Sequence, residues 1–132
     1  MSKYKEIRTQ VKKREFICRA LDELGVAYET AEKPLTLYGY EGRRRPERAE
    51  VVVRRRDVGP YANDLGWTAG DDGVFVEIIS EYDMRNQGAQ IARQVRQRCA
   101  FYQLEELAHA NGYALNVVEE RGVQRVFVGG AA

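Results

Sequence analysis

The residues of this sequence best suited to chemistry are basic and aromatic, and they cluster. Arg43, Arg44, Arg45 and Arg48 crowd one stretch, Arg54, Arg55 and Arg56 follow, and Arg93, Arg96 and Arg98 recur later. Tyr38 and Tyr40 stand just upstream, on alternate positions. Guanidinium groups beside aromatic rings can stack and pair with the unstacked bases of single-stranded RNA. The same side chains also dominate protein-binding hot spots. Against both stands the plain alternative of a solvated, charge-balanced loop. The expected binding surface is Tyr38, Tyr40, Arg43, Arg44, Arg45, Arg54 and Arg56.

Other chemistries find little support. His109 is the one histidine, and no Cys-x-x-Cys or His-x-x-x-His spacing occurs. A structural zinc site needs about four such ligands, so no metal is expected. Asp71 and Asp72 lie in a glycine-flanked turn, which explains them without a cation. Cys18 and Cys99 are far apart, and both fall in predicted helices, where a small buried thiol is the ordinary role. Ser2 and Ser80 are the only serines, and neither sits in Gly-x-Ser-x-Gly. Gly66, Gly70 and Gly73 are spaced for hairpin turns and do not lead a strand into a helix, as a phosphate loop requires. With no visible set of acid, base and nucleophile, an enzyme ranks third among the readings, behind a binding protein and an RNA binder, and no cofactor is expected. Glu77 stands inside an apolar run, Val74 to Ile79. It is expected on the solvent face of a strand; the sharper reading pairs it with an arginine at a binding surface.

Composition sets the frame. The 132 residues make one ordinary domain, 1–132, and 44% hydrophobic content suffices for a core. Charged residues make up 31% and nearly cancel, leaving net +1, which argues against duplex DNA as a partner of the whole molecule. No apolar run approaches eighteen residues, so no membrane span is expected. The start, Met1 to Glu6, is charged and lacks an apolar segment, so no secretory signal is expected either. A cytoplasmic protein follows from these readings.

The elements that would position the basic cluster follow from periodicity. Tyr4 to Val11 alternates as a strand. Phe16, Ile17, Ala20, Leu21 and Leu24 form a helical stripe, and Gly25 ends it in the position that favours a left-handed residue. Val26 to Thr30 reads as a short strand, Lys33-Pro34 as a turn, and Leu35 to Tyr40 as a second strand with Leu35 and Leu37 on one face. Glu41 to Arg48 reads as an exposed hairpin loop, and Glu50 to Arg56 as its return strand. Gly70-Asp71-Asp72-Gly73 is a strong turn signal, pairing a strand at Trp67 with Val74 to Ile79. A helix-compatible segment then runs from Asp83 to Asn111, with Gly88 as its weak point.

That segment carries two apolar sets, Ile91/Ala92/Val95/Cys99 and Ala100/Leu104/Leu107/Ala108, offset by roughly 150° around the axis. It must bend, or bury its second half elsewhere than on the sheet. Tyr113 to Glu120 and Val123 to Val128 form a last hairpin around Arg121-Gly122. The order is β-α-β-β-β-β-β-α-β-β, an α+β fold with a mainly antiparallel sheet and two helices on one face. Leu35 and Leu37 should then face the helices, leaving Tyr38 and Tyr40 on an open face. Phe16, Leu21, Val95 and Leu104 should be buried.

Several segments resemble one known family. They are Tyr4 to Lys12, Ala20 to Val26, Asp64-Leu65-Gly66-Trp67, Val76 to Ser80, and Val95 to Tyr102 with Gly112-Tyr113. Together they are similar to the hypothetical chloroplast reading frame thirty-five family, a domain of unknown function of plastids, cyanobacteria, other bacteria and phages. The resemblance spans nearly the whole chain and carries over no catalytic residues. It implies a small accessory domain that works with a protein partner, an ATPase or another small protein. The Arg43 to Arg48 loop is longer and more basic than the family pattern. The expected function is therefore that of an adaptor binding a protein, with single-stranded RNA binding through Tyr38, Tyr40 and Arg54 as the alternative.

Overall fold

The computed structural model describes residues 3–129. Met1 and Ser2, on which the expected lack of a secretory signal partly rests, lie outside the described residues, as do 130–132. The elements are β1 (Tyr4–Arg8), α1 (Arg14–Leu24), β2 (Glu29–Tyr38), β3 (Arg44–Val53), α2 (Arg55–Val58), β4 (Leu65–Ala69), β5 (Phe75–Ser80), α3 (Gln87–Ala110), β6 (Ala114–Glu120) and β7 (Val123–Gly129). Strands β1-β5-β4-β3-β2 form one sheet in that order, and β6-β7 a separate hairpin. Every pairing is antiparallel. The fold is α+β, as expected, with the two long helices α1 and α3 against one face of the sheet.

The middle of the chain differs from the periodicity reading. Lys33-Pro34 does not turn the chain: β2 runs straight through it. Thr30 pairs with Val51 and Leu35 with Ala49, so β2 spends extra residues there, and Pro34 sits in the resulting bulge. A bulge is where a strand tolerates a residue without an N–H. A second irregularity lies between Thr36↔Arg48 and Tyr38↔Arg44, with Pro46 in the longer segment. The expected exposed loop is thus mostly strand, and its turn is a single 3-10 turn over Tyr40–Gly42. Arg54 to Arg56 do not end a strand together, because the chain leaves β3 at Val53 and enters α2.

Local signals did set the helices. α1 buries Phe16, Ile17, Ala20 and Leu21, and Gly25 ends it at φ 70°. α3 runs 24 residues as one helix and buries Ala92, Val95, Cys99 and Tyr102 at spacings that keep one face. Tyr102 meets Phe16 of α1 with ring centroids 5.8 Å apart. The offset apolar set is not a continuous second core face: Ala108 is buried, but Ala100 and Leu107 are exposed and Leu104 is only half-buried. Leu104 is therefore not the fully buried anchor its spacing suggests. Both cysteines are free, and burial pushes the Cys99 thiol up to about 12.

The sheet has two apolar faces. On one, Val51, Val53, Leu65, Trp67, Phe75 and Ile79 pack with α1 and α3. On the other, Leu37, Ala49, Val52 and Ile78 form a second cluster, joined by Tyr4 and Leu35. Leu35 and Leu37 thus point away from the helices, contrary to the alternation argument. The bulge around Pro34 is the physical reason: from Thr30↔Val51 to Leu35↔Ala49, β2 advances an odd number of residues more than β3 does, which changes the face that the following residues occupy.

No helix covers the second cluster, yet Leu37, Ala49 and Val52 have no exposed surface. The sheet closes over them itself. β1 and β2 are opposite edges, but the Tyr4 hydroxyl donates to Asp64 O at 3.0 Å, and the Arg45 guanidinium lies 5.2 Å from the Tyr4 ring. The expected open face is the inside of a rolled sheet.

Gly66 makes the roll possible. A Cβ there would lie 2.7 Å from Ala49 Cβ and 3.2 Å from Leu37 Cδ2. Gly66→Val should therefore cost about 1–3 kcal/mol by overpacking. A urea midpoint equal to or above the parent's would show that the roll has room for a side chain.

Glu77 also lies where it was not expected. It shares a face of β5 with Phe75 and Ile79, so it points into the helix layer and is 1% exposed. Arg96 of α3 donates to its two carboxylate oxygens at 2.7 and 2.6 Å. Burial pushes the carboxyl above the usual glutamate range, and the Arg96 charge opposes that rise. The Trp67 indole N–H also favours the charged form, although its Nε1 makes no hydrogen bond of normal geometry. The arginine pairing is real, but it ties α3 to the sheet and does not form a binding surface.

Candidate binding surface

One end of the rolled sheet gathers most of the basic and aromatic residues named above. Two adjacent polar side chains, Asn63 and Asp64, build it. Asp64 is 1% exposed. Its Oδ2 accepts from Tyr38 N at 2.7 Å and from Arg54 Nη1 at 2.8 Å, and its Oδ1 accepts from Arg55 N at 2.7 Å. Asp64 N in turn donates to Tyr38 O at 2.9 Å. Asn63 Oδ1 accepts from Tyr40 N at 2.8 Å, and its Nδ2 donates to Ser80 Oγ at 3.0 Å. The end of β2, the turn after it and the start of α2 are thus held by buried groups before the strands β4 and β5.

Behind Asn63 lies Asp83, also 1% exposed, whose Oδ2 accepts from Asn63 N at 3.0 Å. Burial raises its carboxyl above the usual range, and its Oδ1 has no hydrogen-bond partner. A buried, half-satisfied carboxyl favours its neutral form, because desolvation penalises the charge.

The arginines divide into two groups. Arg54 is a framework residue. Its Nε and Nη2 donate to Glu29 at 2.9 and 3.1 Å, and its Nη1 donates to Asp64 and to Thr36 O. The hydrogen bonds with Glu29 lead in raising its already high affinity for the proton, and they hold the Glu29 carboxyl below its usual range. Its guanidinium lies 5.7 Å from the Tyr38 ring. Arg45 is half-buried between the Tyr4 ring and Glu47. Arg43, Arg44 and Arg56 are exposed, Arg56 with its side chain 81% accessible beside Asp57.

The aromatic side chains gain a member that sequence spacing did not suggest. Tyr40 and Tyr61 lie with ring centroids 5.7 Å apart, tilted by 59°. They are 42% and 66% exposed, and Tyr38 is 39% exposed. Tyr61 holds φ at 62°, in the left-handed region that a bulky residue rarely occupies. Such an outlier persists only where its surroundings impose it. The one sequence signal for this neighbourhood is the turn-forming run Gly59-Pro60 to Asn63-Asp64. A shallow depression next to Tyr38 is lined by Glu29, Tyr38, Gly42, Arg54, Arg55, Arg56 and Asp64, so its arginines lie beside two acids. The arrangement can offer flat apolar contact and guanidinium hydrogen bonds to a partner. Among the described residues, no group of three or more His, Cys, Asp or Glu is placed to hold a metal ion, and no helix is long and apolar enough to cross a membrane.

A family model described as a protein of unknown function (DUF1257) matches residues 20–127. The match leaves β1 and the first half of α1 outside. Neither the curated proteins nor the solved structures yielded a match.

Proposed function

The chain belongs to the DUF1257 family, and on that premise we propose that it is a small accessory protein that acts by binding a protein partner at the Tyr40–Tyr61 end of the rolled sheet. The observation that carries this reading is the pair of exposed rings in contact, next to a backbone held from below. Asn63 fixes the backbone at Tyr40, and Asp64 fixes it at Tyr38 and Arg55. Rigid tyrosines with exposed arginines nearby give large contact area at low ordering cost, which is the make-up of protein-binding hot spots. The resemblance in sequence points to an ATPase or another small protein as the partner class.

Single-stranded RNA remains the competing ligand. Against it stands the use of Arg54, whose charge is answered by Glu29 and Asp64, and the near-zero net charge of the chain. A phosphate-tracking surface needs uncompensated cations.

The experiment is capture from native extract by the full chain and by Tyr40→Ser/Tyr61→Ser, with and without nuclease. The expected result is nuclease-resistant capture of a protein, weakened about tenfold or more in the double variant, with the melting temperature nearly unchanged. Capture that vanishes with nuclease and falls steeply with salt would transfer the site to RNA. Equal capture by parent and variant would remove these rings from the interface.

A further inference from the structure

The C-terminal hairpin is poorly explained by the rest of the fold. β6 and β7 pair only with each other among the described strands. Their principal contact elsewhere is between β6 and the end of α3. A lone two-stranded hairpin is marginal in water, and three or more strands with an apolar face are needed for stability. Yet this hairpin carries exposed apolar side chains: Val117, Val118, Val123, Phe127 and Val128 are all exposed, as are Leu107 in the last turn of α3 and Tyr113 just before β6. Alternation sorts them. Leu115 and Val126, the two half-buried residues, share a face with Val117 and Val128. Val118, Val123 and Phe127 lie on the other face together with Arg125. β6 is the strand that meets α3, so the edge left most open is that of β7.

We propose that β7 pairs antiparallel with β7 of a second copy of this chain, about a two-fold axis at Val126, giving a continuous four-stranded sheet across the dimer. Two observations single out this occupant. The pairing is self-complementary: Val126 meets Val126, each Arg125 lies opposite the partner copy's Phe127, and no two like charges face each other. Arginine over an aromatic ring is a favourable pair, and cross-strand partners are the unit of sheet stability. β7 is also the strand free of acids, whereas β6 ends in Glu119 and Glu120. An isologous contact of this kind closes at two copies.

Charge reversal at one position tests the register. Phe127→Arg would set Arg opposite Arg125 twice per dimer, while Phe127→Glu would set Glu opposite Arg125 twice. Sedimentation equilibrium of the full chain over low to high micromolar concentration reads the mass, and circular dichroism checks that each variant is folded. The parent and Phe127→Glu should dimerise, and Phe127→Arg should weaken dimerisation about tenfold or more. A parent that stays monomeric throughout would overturn the proposal. So would a dimer unaffected by Phe127→Arg, or equal loss in both variants, which would indicate a generic apolar patch in place of this strand register.

Discussion

Arg96→Ala should destabilise the protein by about 3–5 kcal/mol at neutral pH, the largest single effect expected of any surface-reaching side chain in it. The cost arises less from losing the arginine than from what remains. Glu77 is 1% exposed beneath α3, and both its oxygens rely on Arg96. Removing the partner leaves a buried carboxylate with no counter-charge.

The pH dependence distinguishes this cause from simple loss of packing. Glu77 already titrates above the usual glutamate range in the folded chain, because burial outweighs Arg96. The folded state therefore binds its proton more tightly than the unfolded state does. Stability from this group is fully present below the ordinary glutamate pKa and is lost as pH rises through the raised one. Without Arg96 the raised value climbs further, so the deficit of the variant should shrink on going from pH 7 to pH 5. Glu77→Gln in the Arg96→Ala background should recover much of the loss at pH 7. Urea denaturation at the two pH values measures both. A deficit independent of pH, with no recovery in the double variant, would mean that Arg96 acts through packing alone.

Asp64→Ala is expected to come next, costing about 3–5 kcal/mol as well. Two backbone amides, of Tyr38 and Arg55, and the Arg54 guanidinium all end on this one buried carboxylate. The expected consequence is not only a lower melting temperature. The end of β2 and the start of α2 lose their common anchor, so amide protons of Tyr38 and Arg55 should exchange much faster in the variant. Partner capture should fall with them, although Asp64 itself is not exposed. Asp64→Asn should be intermediate, since an amide group can accept from only one side. If Asp64→Ala melts with the parent and keeps slow exchange at those amides, Asp64 does not organise this end of the sheet.

The bonds of Arg54 limit what the basic cluster can do. Arg54 looks from the sequence like one of a row of surface cations. In the fold it is half of a framework, bound to Glu29, Asp64 and Thr36 O. A variant that removes Arg54 together with Tyr38 and Tyr40 would confuse lost binding with lost stability. Tyr40 and Tyr61 are the cleaner pair, because both rings are exposed and Asn63, not either ring, holds the backbone at Tyr40.

What the sequence determined by itself were the features whose causes are local. The stripe Phe16 to Leu24 and its stop at Gly25 specify α1, because helical periodicity and a left-handed terminus are written within a few residues. The turn at Gly70 to Gly73 specifies the β4–β5 hairpin, and Arg121-Gly122 the β6–β7 hairpin. Alternating strands and the helical stripe were enough for the α+β class, and the short segments from Tyr4 to Tyr113 carried the resemblance to a family of unknown function. The face of each middle-strand residue was decided only in three dimensions. Alternation predicts sidedness as long as no odd number of residues is inserted, and β2 breaks that condition around Pro34, between the pairs Thr30↔Val51 and Leu35↔Ala49. Leu37 therefore turned inward to the roll, away from the helices. Glu77 kept its place in the alternation, but only the packing of α3 could show that its face was the covered one and that Arg96 would meet it. Tyr61 joined Tyr40 for the same reason: the two are distant along the chain, and the contact exists only because the sheet rolls until its ends close on Asn63 and Asp64.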